Sequence, residues 1–138
     1  MIAYTSVGTN DVAAARRYYM SFLPALGYAM EEVYGGLSFT QPVPPGHAFA
    51  PPDFCVKPPF DGQPATRGNG SMVAFEARNQ EQVRTLYAAA LAAGGQDDGP
   101  PGFRKAYGPR FYVAYLLDPD GNKCAIFASN PDEPSRDD

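Results

Sequence analysis

Side chains able to do chemistry are few in this chain and far apart. His47 is its one histidine. It sits in the proline-rich stretch Pro42 to Pro52, with no second imidazole beside it to share a metal ion. Such a residue serves as a base or ligand contact only if its loop folds over a cavity, and is otherwise a solvated loop histidine. Glu76 closes an apolar run from Met72 to Ala77. A carboxylate there could exchange a proton with a bound molecule, or face water at a rim. Cys55 and Cys124 have no adjacent base or helix start to lower a thiol pKa, so both read as small strand residues. Arg104, Lys105, Tyr107 and Arg110 gather cations and a phenol just before a strand. In that setting Tyr107 and Arg110 could hold a carboxylate at a cavity mouth, or belong to a plain surface loop.

The rest of the composition narrows the partners. The net charge is −4 and the 11 basic residues are scattered, with only Arg16-Arg17 and Arg104-Lys105 adjacent, so no phosphate-tracking stripe forms and nucleic acid is not expected. No apolar run approaches the roughly 20 residues that span a bilayer. The N-terminus carries no basic segment followed by an apolar one, so neither secretion nor a membrane is expected. Two cysteines do not make a disulfide framework, and a cytoplasmic protein with reduced thiols is the expectation.

The elements that must position these residues come in two copies. Ala3 to Gly27 laid over Ser71 to Gly95, an offset of 68 residues, superposes Arg16 on Arg84, Tyr19 on Tyr87, Leu23 on Leu91, Ala25 on Ala93 and Gly27 on Gly95. Each copy reads as a strand, an amphipathic helix and a terminal glycine. In the first, residues 2–8 are a strand, Asn10 or Asp11 caps a helix carrying Val12, Ala15, Tyr19, Phe22, Leu23 and Leu26, and a hairpin turns at Gly35-Gly36. A short strand follows over 54–57. In the second, residues 72–77 are a strand, Asn79 and Gln82 fit a capping box, and Val83, Leu86, Tyr87, Ala90 and Leu91 form the buried stripe. Residues 96–105, broken by Gly99-Pro100-Pro101-Gly102, read as a loop with a strand at its end; residues 111–117 and 123–128 are strands around an Asp118-Pro119-Asp120-Gly121 turn.

The order is β-α-β-β-β twice, within one domain covering 1–138. Module 1 spans about 1–60, module 2 about 68–129, and the acidic tail 130–138 is expected to be disordered. A unit this small cannot bury its own apolar face, so the modules must pair, and a cavity with matching residues from both is expected where their sheets meet. Strand alternation puts Tyr4, Ser6, Met72, Ala74 and Glu76 on the concave face.

A doubled βαβββ plan ending in Asp118-Pro119-Asp120-Gly121-Asn122, with the strand opening Gly70 to Phe75 and the helix end Ala88 to Gly95, resembles the vicinal oxygen chelate superfamily. That group includes glyoxalase I, extradiol dioxygenases, fosfomycin-resistance enzymes and bleomycin-binding proteins. The resemblance covers about residues 1–129. It implies an α+β fold: two tandem modules forming a curved mixed sheet with a concave pocket. It also implies a divalent metal held by first-strand residues of both modules and a last-strand carboxylate. Those positions fall here on Tyr4, Met72 and Ala125, four residues after Gly121. A phenol, a thioether and a methyl group are not the imidazole and carboxylate ligands such ions take, so no metal cofactor is expected.

One position that the resemblance marks as functional does persist. Tyr115, six residues before Gly121, corresponds to a tyrosine of the dioxygenases and could donate a hydrogen bond or act as a general acid. The implied function is a metal-free binder of a small organic ligand, in a pocket of Tyr4, Ser6, Met72, Ala74, Tyr115, Ala125 and Phe127, with Tyr107, Arg110 and His47 near its mouth. The alternative is a glyoxalase-type lyase or isomerase, or a dioxygenase-like enzyme. It would hold its metal unconventionally or use Tyr115 and Glu76 as acid and base. A homodimer is implied by the same resemblance.

Overall fold

Asp11 fixes where the first helix begins. Its carboxylate accepts the amide of Ala14 at 3.0 Å, and its own amide donates to the Thr9 hydroxyl at 3.1 Å. In the computed structural model, which describes residues 1–136, the first module contains β1 (Tyr4–Gly8), α1 (Val12–Tyr19), β2 (Ala29–Val33), β3 (Gly36–Thr40) and β4 (Asp53–Lys57). The second contains β5 (Val73–Glu76), α2 (Gln80–Ala92), β6 (Gln96–Phe103), β7 (Tyr112–Leu117) and β8 (Lys123–Ala128). The sheets are ordered β1-β4-β3-β2 and β5-β8-β7-β6; β1–β4 and β5–β8 are parallel and the other pairs antiparallel. This is the expected α+β pair of βαβββ modules.

Three local expectations need correction. The first hairpin turns on Tyr34-Gly35, one residue earlier than expected, with both at positive φ (49° and 77°). A two-residue turn of that hand matches the strand twist, and Gly35 takes it without strain.

Residues 96–103 are not a loop with a strand only at its end; the eight-residue strand β6 runs through the whole Gly/Pro stretch. It lies at the edge of its sheet, where the missing N–H groups of Pro100 and Pro101 cost no ladder bond, and two register shifts absorb the irregular stretch.

The tail is docked as far as it is described. Glu133 accepts the amide of Gln80, the first residue of α2, at 2.9 and 3.0 Å, placing a carboxylate at the positive end of the helix. Arg136 donates to the carbonyls of Arg104 (2.7 Å) and Tyr107 (3.3 Å). The expectation for residues 137 and 138 lies outside the described residues.

The core lies between the helices and one face of each sheet. Tyr18, Tyr19 and Phe22 of the α1 segment are fully buried. Their rings meet Phe39 and Phe54 of module 1 and Phe75 of module 2; Tyr19–Phe54 and Phe54–Phe75 are both edge-to-face at 5.0 Å. Three further contacts join the modules through the Asp118–Asn122 turn. The Tyr19 hydroxyl donates to Asp118 at 2.6 Å, the Asn122 amide to the Gly8 carbonyl at 2.8 Å, and the Asn10 N–H to Asp120 at 2.8 Å. The modules therefore pair within one chain.

Candidate functional site

The face of module 2 away from its helix is built from alternate residues of three strands. Lys123, Ala125 and Phe127 of β8 stand beside Leu117, Tyr115 and Val113 of β7, and Ala74 and Glu76 of β5 lie across from Ala125 and Phe127. Small side chains at 74 and 125 leave a floor from which Tyr115 rises. Across the sheet from Tyr115 is Gly99, at φ +149°. A Cβ there would fall 2.9 Å from the Tyr115 ring and 3.2 Å from the Arg104 guanidinium. Glycine is thus what lets the ring and the cation close on β6.

Tyr115 is held by charge. The Lys123 ammonium stands 4.7 Å from its ring centre and the Arg104 guanidinium 5.3 Å, both within cation–π range. Lys123 also pairs with Asp98 at 3.1 Å, and Arg104 donates to the Pro100 carbonyl at 2.7 Å. Both cations are therefore fixed from behind, and the Tyr115 hydroxyl has no hydrogen-bond partner among the described residues.

Tyr115, Lys123 and Asp98 wall a cavity of about 510 Å³, within the usual range for small-molecule sites. Tyr107, Leu117 and Met72 supply its apolar surface; Arg67, Asp98 and Lys123 supply its charge; the joint between modules, Gly68 to Ser71, closes one side. Tyr107 reaches it from the loop after β6, where its ring packs on Phe111 at 4.7 Å and Phe111 packs on Phe127 at 4.7 Å.

Of the residues expected at the site, the structure brings together Met72, Tyr107 and Tyr115. Ala125 is buried in the floor and Phe127 lies half-buried under Phe111. Ser6 meets Met72 and Lys123 in a narrow cleft of about 100 Å³ beside the main cavity. Ala74 and Glu76 instead line a more open depression of about 700 Å³ at the far end of the strands, with Tyr28, Gln41 and Arg78. Tyr115 and Glu76 thus face separate spaces, and the arrangement does not form an acid–base pair across one ligand. Tyr4 is 67% exposed on β1 and lines neither space. His47 and Arg110 are likewise exposed and outside both.

The smaller, more enclosed cavity is the better candidate, because it gathers the paired Lys123, the Arg67 guanidinium and the rings of Tyr107 and Tyr115. It does not draw matching residues from both modules. The corresponding face of module 1 carries Ser6, Cys55 and Ser38 side by side, too short to raise a wall.

Four lining side chains, Lys123, Leu117, Asp98 and Arg67, are not among the residues expected from the sequence. Lys123 and Leu117 follow from simple alternation with Ala125 and Tyr115. Asp98 lies in the part of 96–105 that reads as loop, where spacing gives no facing. Arg67 lies in the joint, where no periodicity points inward.

The donor chemistry at Tyr4, Met72 and Ala125 does not fit a divalent ion of the expected kind, and among the described residues no three His, Cys, Asp or Glu side chains form a group that could hold one. Burial pushes the Cys124 thiol up to about 12, so it stays protonated and unreactive near neutrality.

The family model of the glyoxalase/bleomycin resistance protein/dioxygenase superfamily matches residues 1–126. The chain belongs to that superfamily. Among solved structures, this superfamily member is similar to a glyoxalase/bleomycin resistance protein from Albidiferax ferrireducens T118, at 35% identity and a TM-score of 0.79, over 93% of this chain and 98% of that one. A glyoxalase-related enzyme from Fulvimarina pelagi (19% identity, TM-score 0.67, 99% and 97% covered) shares the fold. So does a lactoylglutathione lyase from Agrobacterium tumefaciens (16% identity, TM-score 0.58, 93% and 92% covered). A comparison with curated proteins finds no match. Among the described residues of this glyoxalase-superfamily chain, no helix is long and apolar enough to cross a membrane.

Proposed function

We propose that this glyoxalase-superfamily protein binds a small organic molecule in the cavity over β7 and β8, without a resident metal ion. The observation that carries the reading is the pairing of a walled cavity around Tyr115 with a donor set at Tyr4, Met72 and Ala125 that suits no divalent ion. A fold shared with a lyase does not by itself bring the lyase's chemistry.

Metal analysis of the purified, untagged protein tests the reading, followed by calorimetric titration with Zn²⁺, Ni²⁺ and Mn²⁺. The expected result is sub-stoichiometric metal and no binding tighter than about millimolar. One tightly held ion per chain would overturn it and point to a lyase or dioxygenase instead.

The reading includes a reducing, cytoplasmic setting, in which Cys55 and Cys124 persist as the free thiols they are here. It also includes a homodimer. Ile2, Tyr4 and Met72 expose apolar surface (64%, 67% and 45%) at the ends of β1 and β5, the kind of patch a second copy covers. Light scattering should give twice the chain mass, and a monomer at micromolar concentration would remove the dimer from the proposal.

A further inference from the structure

The cavity has a sign, and the sign restricts what it can hold. The chain as a whole is acidic, yet the charged residues lining this space are Arg67 and Lys123 against Asp98, a net charge of +1. The three are not equivalent. Lys123 is already paired with Asp98. Arg67 makes no hydrogen bond or ion pair among the described residues, so its fork of five N–H donors is uncommitted. Around it the joint runs Arg67-Gly68-Asn69-Gly70-Ser71 along the cavity, and at Gly70 the space a side chain would fill is open. Tyr107, Leu117 and Met72 offer apolar surface in the same space. The Tyr115 hydroxyl, lacking a protein partner, is a second available donor.

From this arrangement we propose that the ligand is an organic molecule with an apolar body and a single carboxylate, with the Arg67 guanidinium as the partner of that carboxylate and the Tyr115 hydroxyl as an accessory donor. A guanidinium matches the two oxygens of a carboxylate geometrically. A neutral ligand would leave Arg67 partly desolvated and unpaired. A dianion such as a phosphate monoester would meet only one surplus positive charge and would be repelled by Asp98. The proposal rests on the cavity being the binding site, and it adds the ligand's chemical class and the residue that selects it.

Three probes with one aromatic body separate the possibilities: naphthoate, naphthamide and naphthyl phosphate. Each is titrated by calorimetry and followed by amide NMR shifts. Naphthoate should bind about tenfold more tightly than naphthamide, and naphthyl phosphate no more tightly than naphthoate. Arg67→Gln should erase the preference for naphthoate while leaving naphthamide affinity in place. Arg67→Lys should restore only part of it, since the charge returns without the fork.

Equal binding of naphthoate and naphthamide, or a preference that survives Arg67→Gln, overturns the carboxylate assignment while the cavity stands. Tighter binding of naphthyl phosphate would overturn it in favour of a dianion. If no probe shifts the amides of Gly68 to Ser71, Tyr107 or Tyr115, the cavity is not the site and the underlying reading fails with it. Arg67 is exposed in a joint, so a folding defect is not expected, and an unchanged amide spectrum elsewhere checks this.

Discussion

Gly99 and Tyr115 show how narrowly the site is set at the scale of single residues. A methyl group at position 99 meets both the Tyr115 ring and Arg104 at sub-contact distance, on a backbone that L side chains rarely adopt. Gly99→Ala should therefore cost about 1–3 kcal/mol of stability, measurable as a lower urea midpoint, and should displace Tyr115. Tyr19→Phe removes the hydroxyl that Asp118 accepts inside the core. The carboxylate keeps its other donors, the amides of Asp120 and Asn122 and the Asn122 side chain, so the loss should sit near about 1–3 kcal/mol rather than abolish folding.

Folding also holds protons at this scale. The Cys124 thiol is raised from 9.0 to about 12 by burial, and Tyr18 and Tyr19 are raised above 10.0 for the same reason. Groups with a raised folded-state pKa stabilise fully below their unfolded value and lose that contribution as pH rises toward the folded one. The urea midpoint should accordingly be flat near neutrality with respect to these groups and fall from about pH 9 upward. A flat profile to pH 11 would contradict their burial.

Among elements, the tail has more influence than its position suggests. Glu133 closes the start of α2, and Arg136 clamps the loop that presents Tyr107 to the cavity. Deleting residues 130–138 should lower the thermal midpoint and, separately, broaden the amide signals of residues 104–110, because both anchors are lost together. A tail-deleted protein with sharp loop signals would show that the loop holds itself.

How much could be read in advance divides along the same lines. The doubled pattern was plain because helix stripes and strand alternation repeat at one offset, and Asp11, Asn79 and the final hairpin all carry their own local chemistry. Strand β6 was hidden because Gly and Pro normally break strands, and only its edge position makes them harmless. Met72 follows from strand order, Tyr115 from the resemblance and Tyr107 from the basic, aromatic segment before a strand, and all three line the candidate cavity. Arg67 and Asp98 reach the cavity from irregular backbone, where spacing carries no direction. Tyr4 was placed on the right face, but no long neighbour rises beside it to make a wall.

At the scale of the whole molecule, the two modules are not independent halves. Phe75 of module 2 completes a ring cluster with Phe22, Tyr28 and Phe54. Residues 1–66 expressed alone should lack a cooperative unfolding transition, because α1 would keep its aromatic face without the module 2 surface it packs on. A soluble, monomeric, cooperatively folded fragment would disprove the paired arrangement. Adding residues 67–138 as a second polypeptide should restore the transition.

The Asp118–Asn122 turn has a consequence for how the chain is made. Tyr18 and Tyr19 find their hydroxyl partners 106 and 99 residues downstream, and Asn122 reaches back 114 residues to Gly8. During synthesis Phe39 and Phe54 follow the first helix closely, but it leaves the ribosome long before its module 2 partners Phe75, Asp118 and Cys124 can cover the rest of it. At roughly 5–20 residues per second, that interval lasts several seconds, with Tyr18, Tyr19 and Phe22 open to other chains. Contacts of such long sequence separation also slow the final closure. Yield in the cell should therefore depend on translation speed and chaperone supply, and substitutions in the last hairpin should reduce the amount of soluble protein before they alter what the finished protein binds.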